Sequence, residues 1–382
     1  MMYRYFFVFV LLGLFSTSTS TMAQEAPPSP GDPVRIAIAG LVHGHVHWLL
    51  EAGGEEAFYE IVGIAEPNTE LAKRLQEQYG FSSDLLYTDL ETMLSETKPQ
   101  GVVTFTSTKD HVKVVEACAP RGIHVMVEKP LATTFREAQT MADLAEKHNI
   151  QLLTNYETTW YPSIHRAYRI VKEQQQMGEI RKIVAHHGHQ GPIAIGVEQE
   201  FLDWLIDPQL NGGGALMDFG CYGANLMTWL MDGQLPETVT AVTQTYQMKN
   251  YPKVEDEATI ILTYPDMQGI IQASWNWPYN RKDLEIYCDE GYITSLSPID
   301  MRMYNDKHPT DRKVPAPKLR PPADDPFRYF SSVIRGLITP TAKDLSSLEN
   351  SLVVMEILDA AQRSAATGQT VRLSFYKVRI ED

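Results

Sequence analysis

Short apolar runs alternate with helix-period stretches through the first 155 residues. Val34-Arg-Ile-Ala-Ile-Ala39, residues 60–65, Gly101-Val-Val-Thr-Phe-Thr-Ser-Thr108 and Ile123-His-Val-Met-Val-Glu128 are rich in β-branched residues and close on a glycine or a polar exit. That is the pattern of strands buried on both faces. Helical periodicity is read between and after them at 46–52, 69–78, 110–121 and 135–148, with one more strand at 152–155. Strand–helix alternation with short connections predicts a doubly wound parallel sheet. After a helix at 163–176 the texture changes. Residues 180–186, 238–247, 258–264, 269–275 and 284–288 read as strands with few helices between them, so a large, mostly antiparallel open sheet is expected. One helix interrupts it, entered through Asn211-Gly-Gly-Gly-Ala215 and running to about residue 231; another spans 348–364 and ends near Gly368. The expected fold class is α/β, with a first domain over 34–153, a second over 154–375 and a tail at 376–382.

Composition adds exclusions. The chain has 382 residues, 43% hydrophobic and 21% charged, with a formal net charge of -15. Nucleic-acid binding needs clustered Lys and Arg, so no such partner is expected. Cys118, Cys221 and Cys288 are an odd, scattered set that supports neither a disulfide framework nor a zinc site. At the start, Arg4 precedes Tyr5-Phe-Phe-Val-Phe-Val-Leu-Leu-Gly-Leu-Phe15, followed by a Ser/Thr run and Thr21-Met22-Ala23. A charged start, short apolar core and small-residue exit are the layout of a secretory signal. Residues 1–23 are therefore expected to be a signal peptide cleaved near Ala23, placing the protein in the periplasm or outside the cell. The apolar run falls short of the ~20 residues a membrane span needs, so no membrane association beyond export is expected. Residues 24–33 are a Pro-rich linker.

The candidate chemistry sits at strand ends. The first strand runs into Gly40-Leu-Val-His43-Gly44-His45 and then a helical segment, the context of a dinucleotide-binding loop, although Val42 and His45 stand where the second and third glycines of G-x-G-x-x-G belong. Glu66 closes the second strand, 26 residues beyond Gly40. An acid there suits the ribose hydroxyls of NAD and opposes a 2′-phosphate. The strand from Ile123 ends in Glu128-Lys129-Pro130, where a proline without N–H stops the ladder and leaves an acid and a lysine at the ligand edge of the sheet. Asp218 and Tyr222 are four residues apart on one helix face.

This order of parts resembles the glucose–fructose oxidoreductase / inositol dehydrogenase / MocA family. The matching residues are the glycine turn, the acid after strand two, Ser107-Thr-Lys-Asp-His111, Val127-Glu-Lys-Pro-Leu131, Gly212-Gly-Gly-Ala-Leu-Met-Asp218-x-Gly and Gly368-x-x-Val371, and together they cover nearly all of the chain from residue 34 onward. The resemblance implies a Rossmann domain followed by an α/β domain whose open sheet makes oligomer contacts, a tightly held NAD or NADP, and a sugar or polyol substrate. Residue by residue it implies cofactor contacts from Gly40, Val42, His43, Gly44, His45, Glu66, Ser107, His111, Glu128 and Lys129. It implies a catalytic group of Lys129, Asp218 and Tyr222, with tyrosine where many members carry histidine. Substrate contacts are expected from Asn155, His187, His189 and Asp218. Tyr222 could act as acid and base if Lys129 lowers its pKa. His43, His45 and His47 are read as cofactor or substrate neighbours, and no metal is expected.

The expected activity is hydride transfer between a sugar C–H and a nicotinamide. Export sharpens it, because free NAD(P) is scarce outside the cytoplasm and a dehydrogenase that released NADH would stall. A retained cofactor in a redox-neutral cycle is therefore expected, and a homo-oligomer. A cofactor-assisted glycosidase or epimerase, and a non-catalytic carbohydrate-binding protein, are the alternatives.

Overall fold

The N-terminal strands do form a parallel sheet, and its carboxyl edge gathers most of the candidate residues. The computed structural model describes residues 32–51, 55–56 and 58–373; the signal peptide, most of the 24–33 linker and the 376–382 tail lie outside the described residues. The first sheet comprises β1 (Val34–Ala39), β2 (Glu55–Glu56), β3 (Tyr59–Ala65), β4 (Leu86–Tyr87), β5 (Gly101–Thr104), β6 (His124–Glu128) and β7 (Leu152–Asn155). Its order is β2-β3-β1-β5-β6-β7, with β4 also on β3, and only the β2–β3 pair is antiparallel. Ile36, Val102, Val103, Val125 and Met126 are fully buried, as expected of central parallel strands covered on both faces. Local signals set the helices. Asn68 accepts the Leu71 N–H to start the helix Thr69–Tyr79, and Gly80, at φ 72°, ends it.

The second sheet holds nine strands: β8 (Ile180–Gly188), β9 (Thr238–Gln244), β10 (Glu257–Thr263), β11 (Gln268–Ser274), β12 (Arg281–Cys288), β13 (Gly291–Ser295), β14 (Asp300–Asn305), β15 (His308–Pro315) and β16 (Val371–Arg372). They run in the order β15-β14-β13-β12-β8-β11-β10-β9-β16. Only β8 and β11 pair in parallel, so the sheet is mostly antiparallel. One face packs on the helices Ala215–Leu230 and Leu348–Thr367. Every residue of the first of these is buried. It can press so closely because Gly223 has no side chain: a Cβ there would lie 2.6 Å from Ile271 Cγ2.

Residues 289–347 depart from expectation. The sequence reading assigned them no element, yet they form β13 to β15 and the helix Pro326–Ile334. The strands carry polar and charged residues at their alternate positions, and β15 pairs on one side only, which leaves a weak apolar signature. Asp325 caps the helix by accepting from the Phe327 and Arg328 N–H groups, with Pro326 in its first turn. Phe327, Phe330 and Val333 then pack in one cluster with Val34, Ile36 and Ile38 of β1. Chain that follows β15 thus covers a face of the first sheet.

Candidate active site

Strand ends, one helix and a returning loop build the site. Glu128 closes β6 and stands beside Asn155 of β7 in register. It is fully buried, accepting from Asn155 Nδ2 at 2.8 Å through Oε1 and meeting His45 Nδ1 at 2.9 Å through Oε2. Burial alone would raise this carboxyl; the His45 and His43 rings and these two hydrogen bonds outweigh it and bring it to about 2. Lys129 points the other way. Its buried ammonium pairs with Asp218 Oδ1 and lies 3.2 Å from the Asp218 carbonyl oxygen. Trp275 Nε1 donates to the second carboxylate oxygen at 2.9 Å. Burial opposes both charges, but each partner reverses it for the other: Asp218 raises the lysine and Lys129 lowers the aspartate. The pair is ionised.

Tyr222 sits one turn beyond Asp218, only 1% exposed. Lys129 Nζ and Lys282 Nζ lie 5.3 and 5.1 Å from its ring centroid, and Lys282 pairs with Glu157. The expected lowering of the Tyr222 pKa by Lys129 is reversed in the structure. Burial, then Glu157, pushes the phenol well above its ordinary value, and the lysine charge is committed to Asp218. Tyr222 is held as a neutral phenol.

A cavity of about 230 Å³ opens between these groups, lined by His43, His45, Lys129, His189, Asp218 and Tyr222, with Phe201, Leu205 and Lys282 on its walls. The segment holding the helix Gln199–Leu205 roofs the glycine loop: Trp204 Nε1 donates to the Val42 carbonyl at 3.3 Å, and the Phe201 ring packs on His43 at 4.9 Å. In that loop Gly40 has φ 79°, and a Cβ would meet Thr106 Cγ2 at 2.6 Å; only glycine fits. Among the described residues the N–H groups of Val42 and Gly44 have no protein acceptor. Glu66 is buried and takes the Leu41 N–H on one oxygen and the Asn68 N–H on the other, both at 2.8 Å, which leaves lone pairs for two further donors.

Among the expected contacts that do not line this cavity, Asn155, His187, Ser107 and His111 are buried. Asn155 is fully buried and both ends of its amide are used, one on Glu128 and the other accepting from Trp160 Nε1 at 2.9 Å; it positions the acid. His187 is fully buried behind Tyr222, its ring 5.7 Å away and edge-on. Burial, then Lys282, lowers it to about 3. Ser107 donates to Asp110 Oδ2 at 2.8 Å. His111 places Nδ1 3.2 Å from the Leu131 carbonyl oxygen and is lowered by burial to about 4. His189 does line the cavity, held neutral mainly by burial, at about 4. The sequence reading missed Lys282 and Glu157, neither of which carries a local motif, and read Trp275 as a sugar-stacking or packing aromatic, whereas its indole N–H holds Asp218.

Two donor clusters have metal-ligand proximity, His43–His45–Glu128 and His186–Asp283–Glu285, each with its ligand atoms within 4.8 Å. In the first, Lys129 follows Glu128 directly; in the second, Arg281 already grips Asp283 through two hydrogen bonds.

Family models match both sheets. Residues 34–156 match the oxidoreductase family with an NAD-binding Rossmann fold, and residues 165–294 match the GFO/IDH/MocA C-terminal domain. The chain belongs to the Gfo/Idh/MocA family. It is 25% identical to the trans-1,2-dihydrobenzene-1,2-diol dehydrogenase of Xenopus tropicalis over 216 residues, which covers 56% of this chain but only 61% of that protein. It is 24% identical to the D-xylose 1-dehydrogenase [NADP(+)] of Haloarcula marismortui over 69% of this chain and 71% of that one. The fold is that of the aldose–aldose oxidoreductase from Caulobacter crescentus, with TM-score 0.74 and 22% identity over 89% of this chain and 100% of that one.

The loop fits the nucleotide that such a fold binds. Gly40 permits close approach, the Val42 and Gly44 N–H groups are unspent, Glu66 has acceptor capacity, and His43 Nε2 is buried without a hydrogen bond, 4.0 Å from Glu128 Oε2.

Proposed function

We propose that this protein is an NAD(P)-dependent oxidoreductase acting on a CH–OH group of a sugar or polyol, with NAD favoured by Glu66. The observation that carries this reading is the ionised, buried Lys129–Asp218 pair lining a cavity beside the glycine loop. Two curated relatives, a diol dehydrogenase and a xylose dehydrogenase, support the substrate class. The cofactor would accept or return a hydride at its nicotinamide. Lys129 binds the substrate oxygen and stabilises negative charge on it. Asp218, fixed by Trp275, holds the ammonium in place. Tyr222, a neutral phenol, donates its proton to a carbonyl oxygen in the reductive direction and takes it back in the oxidative one. Because a phenol with a raised pKa is a weak base source, sugar oxidation should keep rising with pH through the alkaline range. A rate already flat from neutral pH upward would transfer the role to a histidine, whose burial lowers its pKa.

The same reading includes export after cleavage near Ala23 to the periplasm or medium, a cofactor retained through a redox-neutral cycle, and a homo-oligomer. The exposed side of the second sheet carries Val242 and Tyr287, 62% and 39% exposed, which supports assembly through that face. Denaturing the purified protein and assaying released nucleotide tests the core of the reading. About one NAD(P) per chain is expected. A nucleotide-free protein that also fails to bind NAD(P) on titration would overturn it.

A further inference from the structure

A second and larger cavity, of about 390 Å³, lies away from the catalytic groups. It falls in the range of ~300–1,000 Å³ typical of small-molecule sites. Trp229 on its wall is eleven residues beyond Asp218 on the same helix, roughly 16 Å along the axis at 1.5 Å per residue. The remaining walls come from Thr159, Trp160, the helix Pro162–Tyr168, Tyr329 and the loop before Ser347.

The walls are largely aromatic and carry no net charge. Tyr168 stacks on Trp229 with ring centroids 4.1 Å apart, and Trp160 packs on Tyr329 at 5.5 Å. Both indole N–H groups are spent inside the protein, on the Lys343 carbonyl and on Asn155, so the rings are held in place and offer faces. Thr159 and Ser346 contribute to the walls at 6% and 2% exposure; their hydroxyl oxygens have no hydrogen-bond partner and almost no accessible surface of their own. Leaving a buried hydroxyl unpaired is costly, about 1–3 kcal/mol, unless something else satisfies it. His165 is positioned to help. Its Nε2 donates to the Thr159 carbonyl at 2.7 Å, which leaves Nδ1 as an acceptor. Arg169, Lys343, Glu173 and Asp344 add two charges of each sign at the cavity, so no net charge selects an ion.

We propose that this cavity is a second binding site for a neutral carbohydrate ring, separate from the reaction cavity. The C–H face of such a ring stacks on an indole or phenol, while its hydroxyls meet His165 and the polar ends of Arg169, Glu173, Lys343 and Asp344. The assignment rests on the cavity alone and does not depend on the reaction proposed above.

Saturation-transfer NMR on the full-length mature protein tests it, with D-glucose, D-xylose, myo-inositol and maltose as probes and D-glucuronate as the charged control. At least one neutral probe should bind, with a component that persists in Lys129→Met. That component should weaken at least tenfold in Tyr168→Ala and in Ser346→Leu, with turnover unchanged in both. Tyr168 is half-buried, so its truncation keeps the test open if Ser346→Leu fails to fold. The proposal is overturned if none of the four neutral probes binds, if all binding vanishes in Lys129→Met, if Tyr168→Ala leaves binding within twofold, or if glucuronate binds more tightly than every neutral probe. Absence of bound nucleotide would sink the enzymatic reading and leave this result standing.

Discussion

The two ends of the helix Ala215–Leu230 make opposite use of burial. At its start, Asp218 is charged and buried, and the surrounding protein supplies the compensation: Lys129 on one oxygen, Trp275 on the other. Near its end, Trp229 borders a cavity whose buried hydroxyls on Thr159 and Ser346 are left without partners. One end is electrostatically complete, and the other leaves two buried hydroxyls unsatisfied. An unpaired buried charge costs far more than an unpaired buried hydroxyl, so the protein pairs the first itself and tolerates the second.

Removing a charge from the first end should have the largest effect. Lys129→Met strands Asp218 and is expected to cost about 3–5 kcal/mol of stability, measurable by chemical denaturation, together with a roughly 10²–10⁴-fold loss of cofactor reduction by sugar. Adding Asp218→Asn should recover part of the stability and none of the rate, because the two residues act as one unit. Strictly additive losses would show that they do not.

Tyr222→Phe separates chemistry from scaffolding. The ring and its contacts to both lysines remain, so stability should change by less than ~1 kcal/mol, while turnover falls roughly 10²–10⁴-fold. A variant with normal turnover would remove Tyr222 from the proton path.

Acid should find the first end through its neighbouring histidines. His187 and His111 are buried with pKa values of about 3 and about 4, burial being the main cause in each. Below the unfolded value of ~6.5 the unfolded chain binds protons that the folded chain refuses. Stability is therefore expected to fall as pH drops from about 6.5 toward 4, by about 1.4 kcal/mol per pH unit for each histidine. Denaturation curves at pH 7, 6 and 5 measure the slope, and His187→Asn should flatten it. Asp218 adds to the loss only at lower pH, since its folded pKa lies below its ordinary value.

The second end should barely respond. Ser346→Ala deletes an unpaired hydroxyl, so stability should stay within ~1 kcal/mol of the parent, or rise, with turnover unchanged. A loss above 2 kcal/mol would mean that the hydroxyl already has a protein partner, and the contrast between the two ends would fail.

Much of this was legible along the chain. The glycine turn at Gly40, the acid at Glu66, the Glu128-Lys129-Pro130 strand end and the Asp218/Tyr222 spacing are local signals, and each falls where the sheet and helix put it. Asn155 and His187 looked like substrate contacts because they sit at strand ends; burial turned one into a support for Glu128 and the other into packing behind Tyr222. Glu157 and Lys282 were invisible as a pair, being 125 residues apart. Residues 289–347 were unread because strands with polar alternate positions, near and at the sheet's edge, carry little periodic signal.

The sequence by itself determined the kinds of elements, their order and which reactive side chains stand at their ends, because hydrophobic period, caps and proline stops act over a few residues. Only the tertiary structure decided who neutralises whom. Lys129 could have served Tyr222 or Asp218, and the fold gave it to Asp218 and buried the phenol beside carboxylates. Protonation depends on desolvation and on charges brought together from distant parts of the chain, and neither quantity exists until the chain has folded.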